Sequence, residues 1–381
     1  MTPGLIADYR PGAFLLASPE RTLLATGVQH VVAEPDPDEL AIRVTKLLVD
    51  SDVPVAVGAL PFDNSAVPHV VLPRAARWSD AARPAFAPLT LPALLETVPV
   101  PAPADHERSV AAAVALLRAG ELEKVVLARS LRLRLAGRLD TAALLANLAA
   151  DNATGYTYAV DLPATSGRRT LVGATPETLL SRTGQTVVAN PFAGSMPRDP
   201  DPAQDRRNGE ALVASAKDRA EHRVVIESVV DALRPFCRTL SVPDGPSLVG
   251  TSAVWHLATR ITGELIDPGI SSLRLAAALH PTPAVCGRPH ATAKATIARI
   301  EPFDRGFYAG AIGWCDAAGD GQWVIGIRCA EIAEPLDDPG STVTLYAGGG
   351  IMPASEPHME LAETSAKFRT LLRAMGLAIP A

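Results

Sequence analysis

The chain lacks the markers of several common protein classes. It holds only four cysteines, Cys237, Cys286, Cys315 and Cys329. None forms a C-x-x-C pair or stands at a zinc-like spacing from histidine, so neither a disulfide framework nor a zinc module is expected. Free thiols in a reducing compartment fit better. No long basic run occurs and the net charge is −6. Nucleic-acid affinity depends on neutralising phosphates, so this balance argues against such a partner. No stretch reaches the roughly 20 apolar residues of a membrane helix; "SVAAAVALLRAG" is interrupted by Arg118. The start "MTPGLIADYRPGAF" has no basic flank or long apolar segment of a signal peptide. A soluble, cytoplasmic protein without membrane contact is expected.

Several catalytic signatures are also missing. There is no G-x-x-x-x-G-K-[ST], no G-x-G-x-x-G opening a helix, no G-x-S-x-G and no H-E-x-x-H. The eight histidines are scattered. Nucleotide hydrolysis, dinucleotide redox chemistry and zinc hydrolysis all lose support.

Nearly half the residues, 48%, are hydrophobic, which is ample for a large core. Residues 1–104 are loosely patterned. "PVAVGAL" and "HVVLP" read as strands, "PRAARWSDAARPAFAP" as a connector and "LPALLETVPVPAPADHERSV" as a linker. Beyond it the spacing predicts helices over 107–118, 140–150 and about 203–236. Strands are predicted at "KVVLARSLRLRL", "TYAVDL", "TLVGATPETLLS", "AVWHLATRITGEL", "FYAGAIGWCD", "QWVIGIRCAEI" and "TVTLYAGGG". Strands follow one another without regular strand–helix alternation, which points to an α+β fold with a large, mainly antiparallel sheet system. The chain is not divided into independent domains.

Two helices carry paired carboxylates. In "EALVASAKDRAEHRVVIESVVDAL", Asp218 and Glu221 share a face, and Glu221 continues into Ala214, Val225, Ser228 and Ala232. After the elbow-like triple glycine Gly348–Gly350, a helix opening near Ser355–Glu356–Pro357 and stopping at Gly376 places Glu360, Glu363 and Lys367 on one face. Each set has two readings. Lys217–Glu221 and Glu363–Lys367 at i, i+4 could be surface pairs worth a few tenths of a kcal/mol. Two acidic faces merging into apolar stripes also suit an oxygen-ligated cation such as Mg²⁺.

An ordered set of segments then resembles a known family. "KVVLARS", "GATPETLL", "NPFAGSMPRD", "SAKDRAEH", "VWHLAT", "HPTPAVCGRPH", "IEPFDRGFYAGAIGWCD", "WVIGIRCAEI" and "YAGGGIMPASEPHMELAETSAKF" occur in the order seen in chorismate-utilising enzymes, over about residues 105–375. That family includes isochorismate, salicylate, anthranilate and aminodeoxychorismate synthases. The resemblance implies a single α+β unit with two large antiparallel sheets packed face to face and flanking helices. Residues 1–104 would be its variable part and 105–381 its chorismate-binding core.

It also implies roles. Lys124 matches the base that activates water for attack at C2 of chorismate, and Glu177 the acid that protonates the departing C4 hydroxyl. A lysine is protonated at neutral pH with an ordinary pKa of about 10.4, so a basic Lys124 needs burial or nearby cations. His256 matches a histidine near the ring; read alone, it is a core residue. Glu221 and Glu363 would hold Mg²⁺, supported through water by Asp218 and Glu360, with Gly194 and Ser195 at the same end. Tyr308, Arg328, Lys367 and the backbone at Gly348 and Gly349 would hold the enolpyruvyl side. Ala284 stands where ammonia-using relatives tend to carry threonine or serine. The pattern therefore resembles isochorismate synthases, acting without a glutaminase partner and expected to be monomeric. The alternatives are a salicylate synthase, an amino-deoxyisochorismate or anthranilate-type ammonia-using synthase, or a relative that binds chorismate without turnover.

Overall fold

A computed structural model describes residues 4–81, 84–251 and 254–377. Ala253, at the edge of one predicted strand, and residues 82–83, inside the predicted connector, lie outside the described residues. The strands form three sheets, and every pairing among the described residues is antiparallel.

The ten-stranded sheet runs in the order Gly287–Arg288, Lys124–Leu135, Ser341–Ile351, Cys329–Glu334, Arg168–Thr175, Tyr156–Leu162, Phe14–Ala17, Arg21–Thr26 and Ala75–Asp80. Leu94–Val100 also pairs with Lys124–Leu135. The nine-stranded sheet runs Cys237–Ser241, Ile261–Leu265, Thr186–Asn190, Thr178–Thr183, Gly321–Ile325, Ala311–Asp316, Val55–Leu60, His69–Leu72 and His30–Val32. A third, three-stranded sheet that the sequence pattern did not suggest joins Phe192–Pro197, Val254–Ala258 and Ser247–Gly250.

Alternation along the strands explains the layering. In Phe14–Ala17, Phe14 and Leu16 enter one core, and Leu15 and Ala17 enter another. The first core lies between the two large sheets, where Tyr158 and Leu171 of one join Leu179, Ile312 and Val324 of the other. The second lies on the outer face of the ten-stranded sheet, under helices Thr141–Asp151 and Pro357–Ala374. The α+β fold with two large antiparallel sheets is thus as expected.

Four local expectations need correction. The predicted connector contains the strand Ala75–Asp80, and the predicted linker contains the strand Leu94–Val100 and the start of the helix Pro103–Arg118. The single helix over 203–236 is two, Pro202–Ala214 and Ala216–Leu233. Ser215 breaks it: its ψ of 118 is extended, and its side chain caps the second helix by accepting from the Asp218 amide. Ala214 therefore does not continue the face of Glu221, and it is exposed. Gly348–Gly350 is no elbow, because all three glycines lie inside Ser341–Ile351, paired with Ala128, Leu127 and Val126.

Candidate active site

A cavity of about 490 Å³ opens where strands of the different sheets break off and cross. Arg168–Thr175 of the first sheet passes to Thr178–Thr183 of the second through only Pro176 and Glu177. Glu177 is therefore anchored on both sides. Its amide donates to Thr175 Oγ1 at 3.2 Å, and its carbonyl accepts from the Ile325 amide. The side chain is 4% exposed. Burial pushes its pKa up to about 7, although the Phe192 amide and the charges of Lys124, Arg328 and Lys367 pull the other way.

Arg328 is not on a strand, contrary to the sequence reading. "QWVIGIRCAEI" splits into Gly321–Ile325 and Cys329–Glu334, and Arg328 occupies the break with φ +50. Ala309, at φ +58, is the other non-glycine residue of positive φ among the described residues, and both line the cavity. Such strained backbone costs on the order of 1 kcal/mol or more and tends to collect at functional sites. Arg328 is 6% exposed and has no carboxylate within salt-bridge distance among the described residues. Its Nη2 donates to His256 Nε2 at 3.4 Å. Burial lowers the His256 pKa to about 3, with the Arg328 charge adding to the effect, so the ring is neutral and accepts that bond. A buried guanidinium satisfied only by a neutral ring is an open anion site.

Opposite stand three lysine–carboxylate pairs. Lys124 Nζ lies 2.9 Å from Glu221 Oε1, Lys367 Nζ 2.7 Å from Glu363 Oε1, and Lys217 Nζ 3.3 Å from Glu360 Oε1. The Glu363–Lys367 pair exists, but it faces the cavity and not open solvent. The Lys217–Glu221 pair does not form, because each residue takes a partner from another element. Ser195 Oγ donates to Glu363 at 3.0 Å, and Lys367 also donates to the Gly348 carbonyl at 2.7 Å. Burial raises the pKa values of Asp218 and Glu360, and repulsion from neighbouring carboxylates adds to it. For Glu363 burial pushes up, but Lys367, Ser195 and Lys217 outweigh it and the net direction is down.

The glycines let these groups approach. A Cβ at Gly350 would lie 2.2 Å from Glu221 Oε1, one at Gly348 2.8 Å from the Tyr308 hydroxyl, and one at Gly194 3.0 Å from Asp218 Cβ. Tyr308 stacks on Tyr346 at 4.7 Å between ring centroids.

Of the residues singled out from sequence, thirteen line this one cavity: Glu177, Gly194, Ser195, Asp218, Glu221, His256, Ala284, Tyr308, Arg328, Gly348, Glu360, Glu363 and Lys367. Lys124 and Gly349 do not. Lys124 is no strand-edge surface lysine; it is 1% exposed and reaches the cavity only through Glu221. A Cβ at Gly349 would lie 3.3 Å from Glu360 Oε2. Sequence reasoning missed Lys217, Phe192 and Tyr346 as lining residues. For Lys217, the pattern Ser215-x-x-Asp218 is a helix-start signature that would have ended the longer helix there.

The acidic side fits a hard cation by donor type. All its donors are oxygens, and Glu360 Oε2 is buried with no hydrogen-bond partner. Among the described residues no three His, Cys, Asp or Glu side chains close around one point as ligands. As they stand, the carboxylates are held apart by lysines.

Residues 74–376 match the family described as chorismate binding enzyme, and the chain belongs to that family. It is 48% identical to the isochorismate synthase DhbC of Bacillus subtilis, over 98% of this chain and 96% of that one. It is 36% identical to the isochorismate synthase EntC of Escherichia coli, over 98% and 97%. The crystal structure of DhbC from Bacillus anthracis superposes with a TM-score of 0.92 at 44% identity, over 98% of this chain and 99% of that one.

Proposed function

We propose that the protein is an isochorismate synthase, which converts chorismate to isochorismate by adding water at ring C2 as the C4 hydroxyl departs. The observation that carries this reading is the polarity of this cavity. A carboxyl poised near neutrality, Glu177, lies in the same cavity as the acidic cluster and the uncompensated Arg328.

Glu177 is the acid. With a pKa of about 7 a substantial fraction is protonated at neutral pH, as donation to a leaving hydroxyl requires. Lys124 is the base that takes the proton of the attacking water. An ammonium has no lone pair to offer, so Lys124 acts as base only after it has given up a proton to solvent and Glu221, now 2.9 Å away, no longer holds it as an ion pair. Neutral His256 holds Arg328 toward the cavity, and Arg328 with Tyr308 and Lys367 receives the enolpyruvyl carboxylate. Glu221 and Glu363 are the residues that would hold Mg²⁺, with Asp218 and Glu360 behind them. The ion, when bound, supplies positive charge to the ring carboxylate. Four buried free cysteines suit a reducing compartment, and we place the reaction in the cytoplasm.

The test is incubation of the purified protein with chorismate and Mg²⁺, followed by separation of products. Isochorismate is expected. Salicylate with pyruvate, or anthranilate when ammonia is supplied, would assign another member of the family. Absence of turnover would leave a chorismate-binding protein.

A further inference from the structure

We propose that Lys217 is a resident counter-cation of the metal site, which neutralises the carboxylate cluster before a divalent ion arrives and so sets how tightly that ion is held. The inference rests on the reading of the acidic cluster as a Mg²⁺ site. Three lysines face the cluster, and they differ in their freedom to leave it. The Lys124 side chain is 1% exposed, and that of Lys367 is 14% exposed and also tied to the Gly348 carbonyl. The Lys217 side chain is 37% exposed, and its one side-chain hydrogen bond is to Glu360, the longest of the three pairs at 3.3 Å.

Two further observations set Lys217 apart. It lies in the first turn of Ala216–Leu233, the positive end of a helix, where a cation is disfavoured and local helix stability gains nothing from it. Its partner Glu360 is 2% exposed, with Oε1 on Lys217, the Ser355 hydroxyl beside the carboxylate, and Oε2 buried without a hydrogen-bond partner of good geometry. A buried carboxylate held by one part-exposed cation is arranged for exchange of that cation. A divalent ion placed beside a fixed ammonium would be repelled, and of the three lysines Lys217 has the clearest path to solvent.

The experiment titrates metal-free protein with Mn²⁺ in the absence of chorismate, following free Mn²⁺ by electron paramagnetic resonance. Lys217→Gln should bind Mn²⁺ about tenfold more tightly than the unaltered protein, the size expected for one partly exposed charge. Lys217→Arg should keep the original affinity. In parallel, Lys217→Gln should melt lower without metal and gain more from Mn²⁺, because tighter binding to the folded state adds stability. Unchanged or weaker Mn²⁺ binding by Lys217→Gln would overturn the inference. A raised KM for chorismate with unchanged Mn²⁺ affinity would do so too, and would make Lys217 a substrate contact. If the unaltered protein binds no Mn²⁺ at all, the metal reading itself fails, and the inference falls with it.

Discussion

Lys124 Nζ sits 2.9 Å from Glu221 Oε1 at a point where the two side chains are 1% and 10% exposed. The pair joins the first residue of the strand Lys124–Leu135 to a helix beneath the three-stranded sheet, and the close approach of Gly350 leaves room for it. Breaking a buried pair by removing one partner costs about 3–5 kcal/mol, whereas removing both costs much less. Glu221→Gln should therefore lower stability by roughly 3 kcal/mol, and adding Lys124→Met should recover most of that loss. Urea denaturation of the two single variants and the double variant measures the coupling; additive losses would contradict it. Lys124→Met alone should abolish turnover while chorismate binding stays measurable.

Glu177 makes stability depend on pH. Its folded pKa of about 7 lies above the ordinary 4.5. A carboxyl shifted upward favours the folded state fully below the unfolded value, and the contribution is lost as pH rises through the folded value. Glu177→Gln removes that dependence. The stability of the variant relative to the unaltered protein should rise by on the order of 3 kcal/mol between pH 4.5 and pH 8. A difference that does not vary with pH would show that Glu177 titrates normally. Turnover by the variant should be lost at every pH.

Arg328 sets stability against binding. Replacing it with Met removes a buried charge that has no carboxylate within salt-bridge distance among the described residues, at the same backbone position. Arg328→Met should leave the free protein as stable as before or more so, while chorismate binding weakens by roughly 2–4 kcal/mol. Thermal melts and chorismate titration together check this. Loss of stability with binding retained would show that Arg328 serves the fold and not the substrate.

Gly350→Ala tests the approach of the carboxylate to the strand. The added Cβ would lie 2.2 Å from Glu221 Oε1 and 3.0 Å from Lys124 Cε, so Glu221 must move. The variant should fold, since φ at this position is not in the left-handed region. Its turnover should fall by up to about a hundredfold, the scale expected when a positioning group of the site is displaced by about an ångström. Unchanged turnover would mean that Glu221 is not needed where it stands.

Much of this arrangement was legible in the sequence. Strand alternation in "KVVLARSLRLRL" matched Lys124–Leu135 to the residue, and the spacing of Glu360, Glu363 and Lys367 placed all three on the cavity side of one helix. What the pattern concealed depends on partners distant in sequence. Lys217 and Glu221 are one helical turn apart, which suggests a pair, yet each meets a residue from another element, Glu360 and Lys124. The break at Arg328 lies within a run of apolar residues, where periodicity shows nothing, and it is held by Gly326 bonded to Gly310 and Ala309. The triple glycine looked like a turn because glycine commonly marks turns. Here it is paired strand, and its missing side chains make room for Tyr308 and Glu221.

Transfer of an oxygen isotope from solvent reports on the proposed reaction itself. The protein is incubated with chorismate and Mg²⁺ in water enriched in oxygen-18, and the isolated product is examined by mass spectrometry. Isochorismate carrying one solvent-derived oxygen, in its C2 hydroxyl, is the expected product. Isochorismate without the label, or a product that has lost pyruvate, would contradict that reaction.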